Sequence, residues 1–254
     1  FGIISEEIIT GCLKMVIENY FESVIGILKK IKETQKEKIE AVSKMVADVL
    51  KEDGIIYMFG CGHSHLIALD CFYRAGGLAN VSAVLDTDLM LHNGAAKSSA
   101  MEKMSGIAEN IFERYCITNK DLLFIISTSG KNAVPVEMGI AAKREKIKTA
   151  AITSSDYFAD KNGGAMLFEN CDVYIDNCVP RGDAVIALPN SSVNTGSIST
   201  IASAFIMQTV LAEGAKSAIE SGAEVPIYMS GNVDGGAEFN KTLIKKYMGR
   251  IKHL

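Results

Sequence analysis

Ile55-Ile56-Tyr57-Met58-Phe59-Gly60-Cys61-Gly62-His63-Ser64-His65 passes from an apolar, β-forming run into a glycine turn, and Leu66-Ile67-Ala68-Leu69 continue it as a helix. A strand that ends in glycines and opens into a helix is the first half of a βαβ unit, the building block of parallel sheets. Ile125-Ile126-Ser127-Thr128-Ser129-Gly130-Lys131-Asn132 repeats the pattern, with a helix expected from about Val134. Other short apolar runs fall at Val81 to Leu85, Thr149 to Thr153 and Val173 to Ile175, and the strand before the second loop starts at Leu122. Helical stretches separate most of these runs. That alternation predicts an α/β fold with a parallel sheet and excludes a sandwich or a helical bundle.

Upstream of the first strand, apolar residues recur with helical spacing at Phe21, Val24, Ile25, Leu28 and Ile31, and again at Ile39, Val42, Val46, Val49 and Leu50. Two amphipathic helices are therefore expected over residues 15–51, ahead of an α/β core over 52–254. Residues 1–14 are expected to be an extension, because the amphipathic pattern begins only near Met15 to Tyr20. Downstream, residues 177–197 carry Pro180, Gly182, Pro189, Asn190 and Gly196 with little periodicity and read as a long loop, either a lid or a surface excursion. A long apolar helix is predicted from Ser199 to Ala218. A glycine-rich turn, Gly231 to Gly236, precedes a last helix ending near Tyr247.

Composition narrows the function classes. The apolar fraction of 48% with 22% charged residues fits a folded globular chain, and no unbroken apolar run of about 18 residues marks a membrane span. A net charge of -4 gives no general attraction to nucleic acid or to an anionic membrane. The basic cluster from Lys29 to Lys38 is interleaved with Glu33 and Glu37, as on a solvated helix face. The six cysteines, at 12, 61, 71, 116, 171 and 178, show no framework spacing. Free thiols and the absence of a signal-peptide pattern lead to the expectation of a cytoplasmic protein.

The first loop fails as a dinucleotide fingerprint, since His65 stands where the third glycine belongs. The second offers three consecutive hydroxyls, exposed amides around Gly130 and a helix N-terminus, which together can cradle a phosphate dianion without a fixed cation. Serine and threonine N-capping alone would give the same residues a purely structural role. No Walker-type lysine motif is present, so nucleotide hydrolysis has no support.

Taken together, the two loops resemble those of the sugar-isomerase (SIS) domain family, which carries C-G-x-S after the first strand and S-x-S-G-x-[TN] after a later one. Order and spacing match from about residue 35 to 220. The resemblance implies a flavodoxin-like parallel sheet sandwiched by helices, with an N-terminal helical arm. It also implies a sugar-phosphate ligand and a homodimer or homotetramer; no nucleic acid, membrane or cofactor is expected from the composition and motifs. No metal is assigned, although some phosphoheptose isomerases bind one and the H-x-H spacing of His63 and His65 with His92 or Cys61 is compatible with an incomplete zinc ligand set. By motif position, Ser64, Ser127, Thr128, Ser129 and Asn132 would hold the phosphate, with Gly62 and Gly130 supplying backbone. His63-Ser64-His65 and Asn232-Val233-Asp234-Gly235-Gly236 further resemble a bacterial subgroup described as phosphosugar-binding, which makes Asn232 and Asp234 candidate ligand contacts.

The family includes aldose–ketose isomerases, an etherase, deaminases and regulators that sense phosphosugars without turnover. A sugar-phosphate isomerase working by enol-type proton transfer, or a related lyase or deaminase, is the leading expectation. A sensor is the alternative. Proton transfer between adjacent carbons needs a carboxylate or imidazole over them. Glu213-Gly214-Ala215 resembles the E-G-A segment that carries the proton-shuttling glutamate of the glucosamine-phosphate synthase isomerase domain, so Glu213 is the expected base. His63 and His65 are candidate acids, and His92 is a further contact. Phosphoheptose isomerases place their glutamate on the helix after the first loop, where this chain has Tyr73 and Arg74, with Asp70 the nearest acid. Arg181 and Asp183, in the long loop, are read as parts of a turn, and His253 as part of a frayed tail.

Overall fold

The computed structural model describes residues 6–161 and 164–254, with side chains described from residue 16 onward. Its helices and strands, in chain order, are α1 (Glu6–Thr34), α2 (Lys36–Lys51), β1 (Ile56–Gly60), α3 (His65–Cys71), β2 (Val81–Val84), α4 (Ala95–Met101), α5 (Ile107–Glu113), β3 (Leu122–Ile126), α6 (Ala133–Arg144), β4 (Lys148–Thr153), β5 (Val173–Asp176), β6 (Ala184–Ile186), β7 (Thr195–Ser197), α7 (Ser199–Glu220) and α8 (Gly236–Tyr247).

Strands β1 to β5 form one parallel sheet in the order β2-β1-β3-β4-β5. Strands covered on both faces need apolar residues on both, and β1, β2 and β3 are buried along their whole length. Alternate side chains then feed two cores. Ile56, Met58, Leu122, Phe124 and Ile152 pack with α2, α3 and α7, while Tyr57, Phe59, Leu123 and Ile125 pack with α5, α6 and the end of α8. The result is the three-layer, flavodoxin-like sandwich that the two loop motifs imply. Carboxylates fix the strand starts: Asp121 accepts from the Ile55 amide at 2.7 Å, and Asp172 accepts from the Thr149 amide at 2.7 Å.

This order places the topological switch between β1 and β3. From β1 the chain moves outward to β2 on one side, and from β3 it moves outward to β4 and β5 on the other. A crevice opens at the carboxyl ends of the strands where the direction reverses, and ligands of open α/β sheets bind there. The loops after β1 and after β3 are therefore neighbours at that crevice, although more than sixty positions apart in sequence.

Part of the expected extension over residues 1–14 lies outside the described residues, and α1 is described from Glu6. Two expectations are corrected. The long loop over 177–197 holds an antiparallel hairpin, β6–β7, with Ala184 opposite Ser197 and Ile186 opposite Thr195. Ile186 is buried, and Tyr20 of α1 donates its hydroxyl to the Ser197 carbonyl at 2.7 Å, so the hairpin is packed on the N-terminal helix. His253 is not frayed: its Nε2 lies 2.8 Å from the Tyr115 hydroxyl. Among the described residues no helix is long and apolar enough to cross a membrane.

Candidate functional site at the sheet's switch point

The first loop is shaped by close backbone approach. A Cβ on Gly60 would lie 2.6 Å from the Ser64 carbonyl carbon, so only glycine lets the chain double back there. Gly62 sits at φ +56° and starts a 3₁₀ turn, Gly62–Ser64, that runs into α3. His65 is buried and donates from Nδ1 to the Gly62 carbonyl, which closes the turn. Burial holds its pKa below the ordinary histidine value. His65 is therefore a neutral, structural imidazole, with the ring of His92 6.0 Å away, centroid to centroid. His63 and His92 are exposed, and His63 lines the recess where the two loops meet.

The second loop is wound on its own hydroxyls. The Gly130 amide donates to Ser127 Oγ at 3.2 Å, and Gly130, at φ +59°, leaves no room for a side chain because a Cβ would meet Thr153 Oγ1 at 2.6 Å. The Thr128 carbonyl accepts from the Ser154 amide at 2.9 Å. Among the described residues the Ser129 hydroxyl and the amides of Ser129 and Lys131 have no partner. Lys131 points away, its ammonium 2.9 Å from Asp160, which also binds Arg181 at 2.6 Å.

Where the loops meet, His63, Ser64 and Thr128 line a recess with Ile67, Ile126 and the start of α7. The α7 residues are Ser199, Thr200 and Ser203. Buried Asn177 bridges Thr128 Oγ1 at 3.3 Å and Ser203 Oγ at 3.4 Å. The recess is walled by hydroxyls and contains no fixed cation. At about 10 Å³ it holds little more than a water molecule, so a phosphate must seat at its mouth or open it. Asp183 accepts from the amides of Ile198 at 3.0 Å and Ser199 at 2.7 Å and from Ser199 Oγ at 2.6 Å, capping α7 beside this recess. Arg181 and Asp183 thus brace the hairpin against the second loop and α7.

Two expected phosphate ligands have other local partners. Ser127 Oγ is used inside the loop, and Asn132 donates its side-chain amide to Glu102 Oε1 at 2.9 Å. Glu102 is the residue that sequence reasoning missed at this site. It caps the end of α4, and its carbonyl accepts from the Val134 amide at 3.1 Å. Burial raises its carboxyl above the ordinary glutamate range, against the opposing influence of Asn132 and Lys103. Burial first, and then the carboxylates of Glu102 and Asp86, raise the Cys61 thiol of the first loop.

The structure does not bring Glu213 to the loops. It is exposed, fourteen residues beyond Ser199, which is about 21 Å along a helix, and its nearest charge is Lys216 at 3.8 Å. The glycine of the E-G-A stretch has its own explanation in packing. A Cβ on Gly214 would lie 2.5 Å from Val46 Cγ1 and 2.9 Å from the Ser43 carbonyl, so this glycine lets α7 approach α2. Asn232 and Asp234 are exposed in the turn before α8. Their segment is tied through Tyr228 to Gly76 and Gly77, past the end of α3 that lies away from the recess. A larger groove of about 590 Å³ runs between α2 and α7; Glu213 lines it together with Lys32, Lys36, Lys44, Lys51 and Glu40, and it contains neither loop. Among the described residues no three His, Cys, Asp or Glu side chains converge in a metal-binding arrangement.

Comparison with known proteins agrees with this architecture. Residues 19–154 match the model of the SIS domain. A UPF0309 protein of Caldanaerobacter subterraneus subsp. tengcongensis is 39% identical over 246 residues, covering 94% of this chain and 100% of the relative. One from Listeria innocua is 35% identical over 240 residues, covering 93% and 97%. Among solved structures, the phosphoheptose isomerase of Neisseria gonorrhoeae superimposes with a TM-score of 0.54 at 17% identity, over 80% of this chain and 99% of the other. An E. coli CFT073 protein solved in complex with a sugar phosphate reaches 0.50 at 13% identity, over 82% and 92%. At those identities the structural matches establish a shared fold. The chain belongs to the SIS domain family, in the company of the UPF0309 proteins.

Proposed function

We propose that the protein binds a sugar phosphate at the β1/β3 switch point and isomerises it by moving a proton between adjacent carbons. The observation that carries the reading is the pairing of two loops at one crevice. A hydroxyl-rich turn with unpartnered amides and a helix N-terminus suits a phosphate dianion, and a glycine turn beside it leaves backbone and the exposed His63 to face a sugar. The phosphate would sit against Ser129, Ser64 and the amides of the second loop, and the sugar would extend over Gly62 toward His92. One structural neighbour named a phosphoheptose isomerase, and another solved with a bound sugar phosphate, support the same ligand class. The sensor reading keeps this pocket and removes the turnover.

We also propose a homodimer or homotetramer. Leu66 and Leu69 on α3, Ile201 and Ile219 on α7, and Ile17 and Phe21 on α1 are all exposed, and a second copy would cover them. The recess is too small to enclose a sugar, so a neighbouring subunit could complete its walls. Thermal stabilisation and turnover against a panel of pentose, hexose, heptose and N-acetylamino-sugar phosphates test the ligand, with the unphosphorylated sugars as controls. Stabilisation by phosphorylated members alone is expected. Indifference to every phosphosugar overturns the reading.

A further inference from the structure

The segment between β2 and β3 carries neither loop motif, yet it delivers a carboxylate to the end of the second loop. Glu102 is tied to the second loop twice. Its backbone carbonyl accepts from the Val134 amide at 3.1 Å, and its Oε1 accepts from Asn132 Nδ2 at 2.9 Å. One bond ends on the residue that precedes α6 and the other in its first turn, so the carboxylate is anchored to the end of the phosphate loop. Its other oxygen, Oε2, has no partner among the described residues. The Cys61 thiol of the first loop is raised first by burial and then by the charges of Glu102 and Asp86.

The recess and Glu102 lie on opposite faces of the sheet, on either side of the first loop. The recess of Ser64, Ile67, Thr128 and Ser199 opens on the face covered by α3 and α7. Glu102 and Cys61 lie on the face covered by α5 and α6. A phosphate anchored at the second loop would thus project its sugar across Gly62 toward a carboxylate held in a half-buried place.

We propose that Glu102 is the general acid–base of this site and that Asn132 is its positioning residue rather than a phosphate ligand. The inference rests on the sugar-phosphate reading given above. In an open-chain aldose, Glu102 takes the proton from C2. The C2–H electron pair becomes the C1–C2 double bond, and the carbonyl pair moves to O1, which takes a proton from solvent. O2 then loses its proton to solvent and re-forms a carbonyl at C2, while Glu102 returns its proton to C1. Hydrogen has moved from C2 to C1 with no oxidant or reductant. Partial burial suits the role, because a carboxylate raised above its ordinary range is a stronger base and a better proton carrier near neutral pH.

The test uses the full chain with fructose 6-phosphate, glucosamine 6-phosphate, sedoheptulose 7-phosphate and ribulose 5-phosphate. Calorimetry reads binding, and proton NMR in D₂O reads exchange of the hydrogen next to the carbonyl. Wild type is expected to bind at least one probe and exchange it. Glu102→Gln should bind that probe within about tenfold and lose exchange by about 10²- to 10⁴-fold, with Glu102→Asp retaining part of it. Asn132→Ala should lower kcat more than it raises KM. Melting curves accompany each variant, and Glu102→Asp serves if Glu102→Gln does not fold. Wild-type exchange in Glu102→Gln overturns the inference, as does a loss of binding as large as the loss of exchange. Binding by wild type without any exchange overturns it too, and leaves the binding reading standing. If no probe binds, the sugar-phosphate reading itself falls and the inference falls with it.

Discussion

Gly130 and Gly62 share a backbone conformation but not a neighbourhood, and the pair isolates what makes the second loop rigid. Both have positive φ, +59° and +56°. An alanine at either position meets the left-handed penalty of about 1–2 kcal/mol. At Gly62 the new Cβ finds nothing within 4 Å. At Gly130 it lies 2.6 Å from Oγ1 of Thr153, a fully buried residue whose hydroxyl donates to the Thr128 carbonyl at 3.3 Å. Forcing that contact apart adds about 1–3 kcal/mol of overpacking. Gly130→Ala should therefore cost about 2–5 kcal/mol, obtained by adding the two penalties. In a chain of this size the gap between the variants corresponds to about 2–12 °C in melting temperature. Calorimetry at one fixed protein concentration reads it. In a Thr153→Ala background Gly130→Ala should fall back to the cost of Gly62→Ala, a coupling of about 1–3 kcal/mol. Equal losses for the two glycine variants, or a coupling near zero, would refute the claim that Thr153 fixes the loop.

Ser129→Ala should weaken phosphosugar binding by about 1.5–3 kcal/mol, the worth of a hydrogen bond to a charged group, and leave the unphosphorylated sugar nearly unaffected. Equal losses for both ligands, read by calorimetry, would remove the phosphate assignment. Asp183→Ala removes the cap of α7 and should cost about 0.5–2 kcal/mol in denaturant unfolding; an unchanged midpoint would show that water replaces the cap without loss. Glu213→Gln should change stability by less than about 1 kcal/mol, since its only ion pair among the described residues is exposed, and should leave turnover intact. A hundredfold loss of turnover would return Glu213 to the chemistry, contributed by a second copy of the chain.

The sheet was legible because doubly buried strands must be apolar without interruption, and Leu122 to Ile126 and Ile56 to Phe59 are. The two loops were legible because glycines with serines directly after such strands have few other uses. The hairpin was not, because Ala184–Ile186 and Thr195–Ser197 are too short to show a period, and what holds them is Tyr20, far away in sequence. Glu102 left no local signal either, since its bond to Asn132 joins positions thirty residues apart across two elements. Glu213 is a different case. The E-G-A stretch was correctly read as helical, but fourteen residues of helical rise from Ser199 already separate its carboxylate from the loops, and Gly214 answers to Val46.

The account's central claim is that the phosphate is held between the loops after β1 and β3, and a crystal structure with the panel's tightest sugar phosphate tests it most directly. The phosphate oxygens are expected within hydrogen-bond distance of the Ser129 hydroxyl and the amides of Ser129 and Lys131, with the sugar lying over Gly62. A phosphate bound instead in the groove between α2 and α7, on Lys32, Lys36 or Lys44, would contradict it.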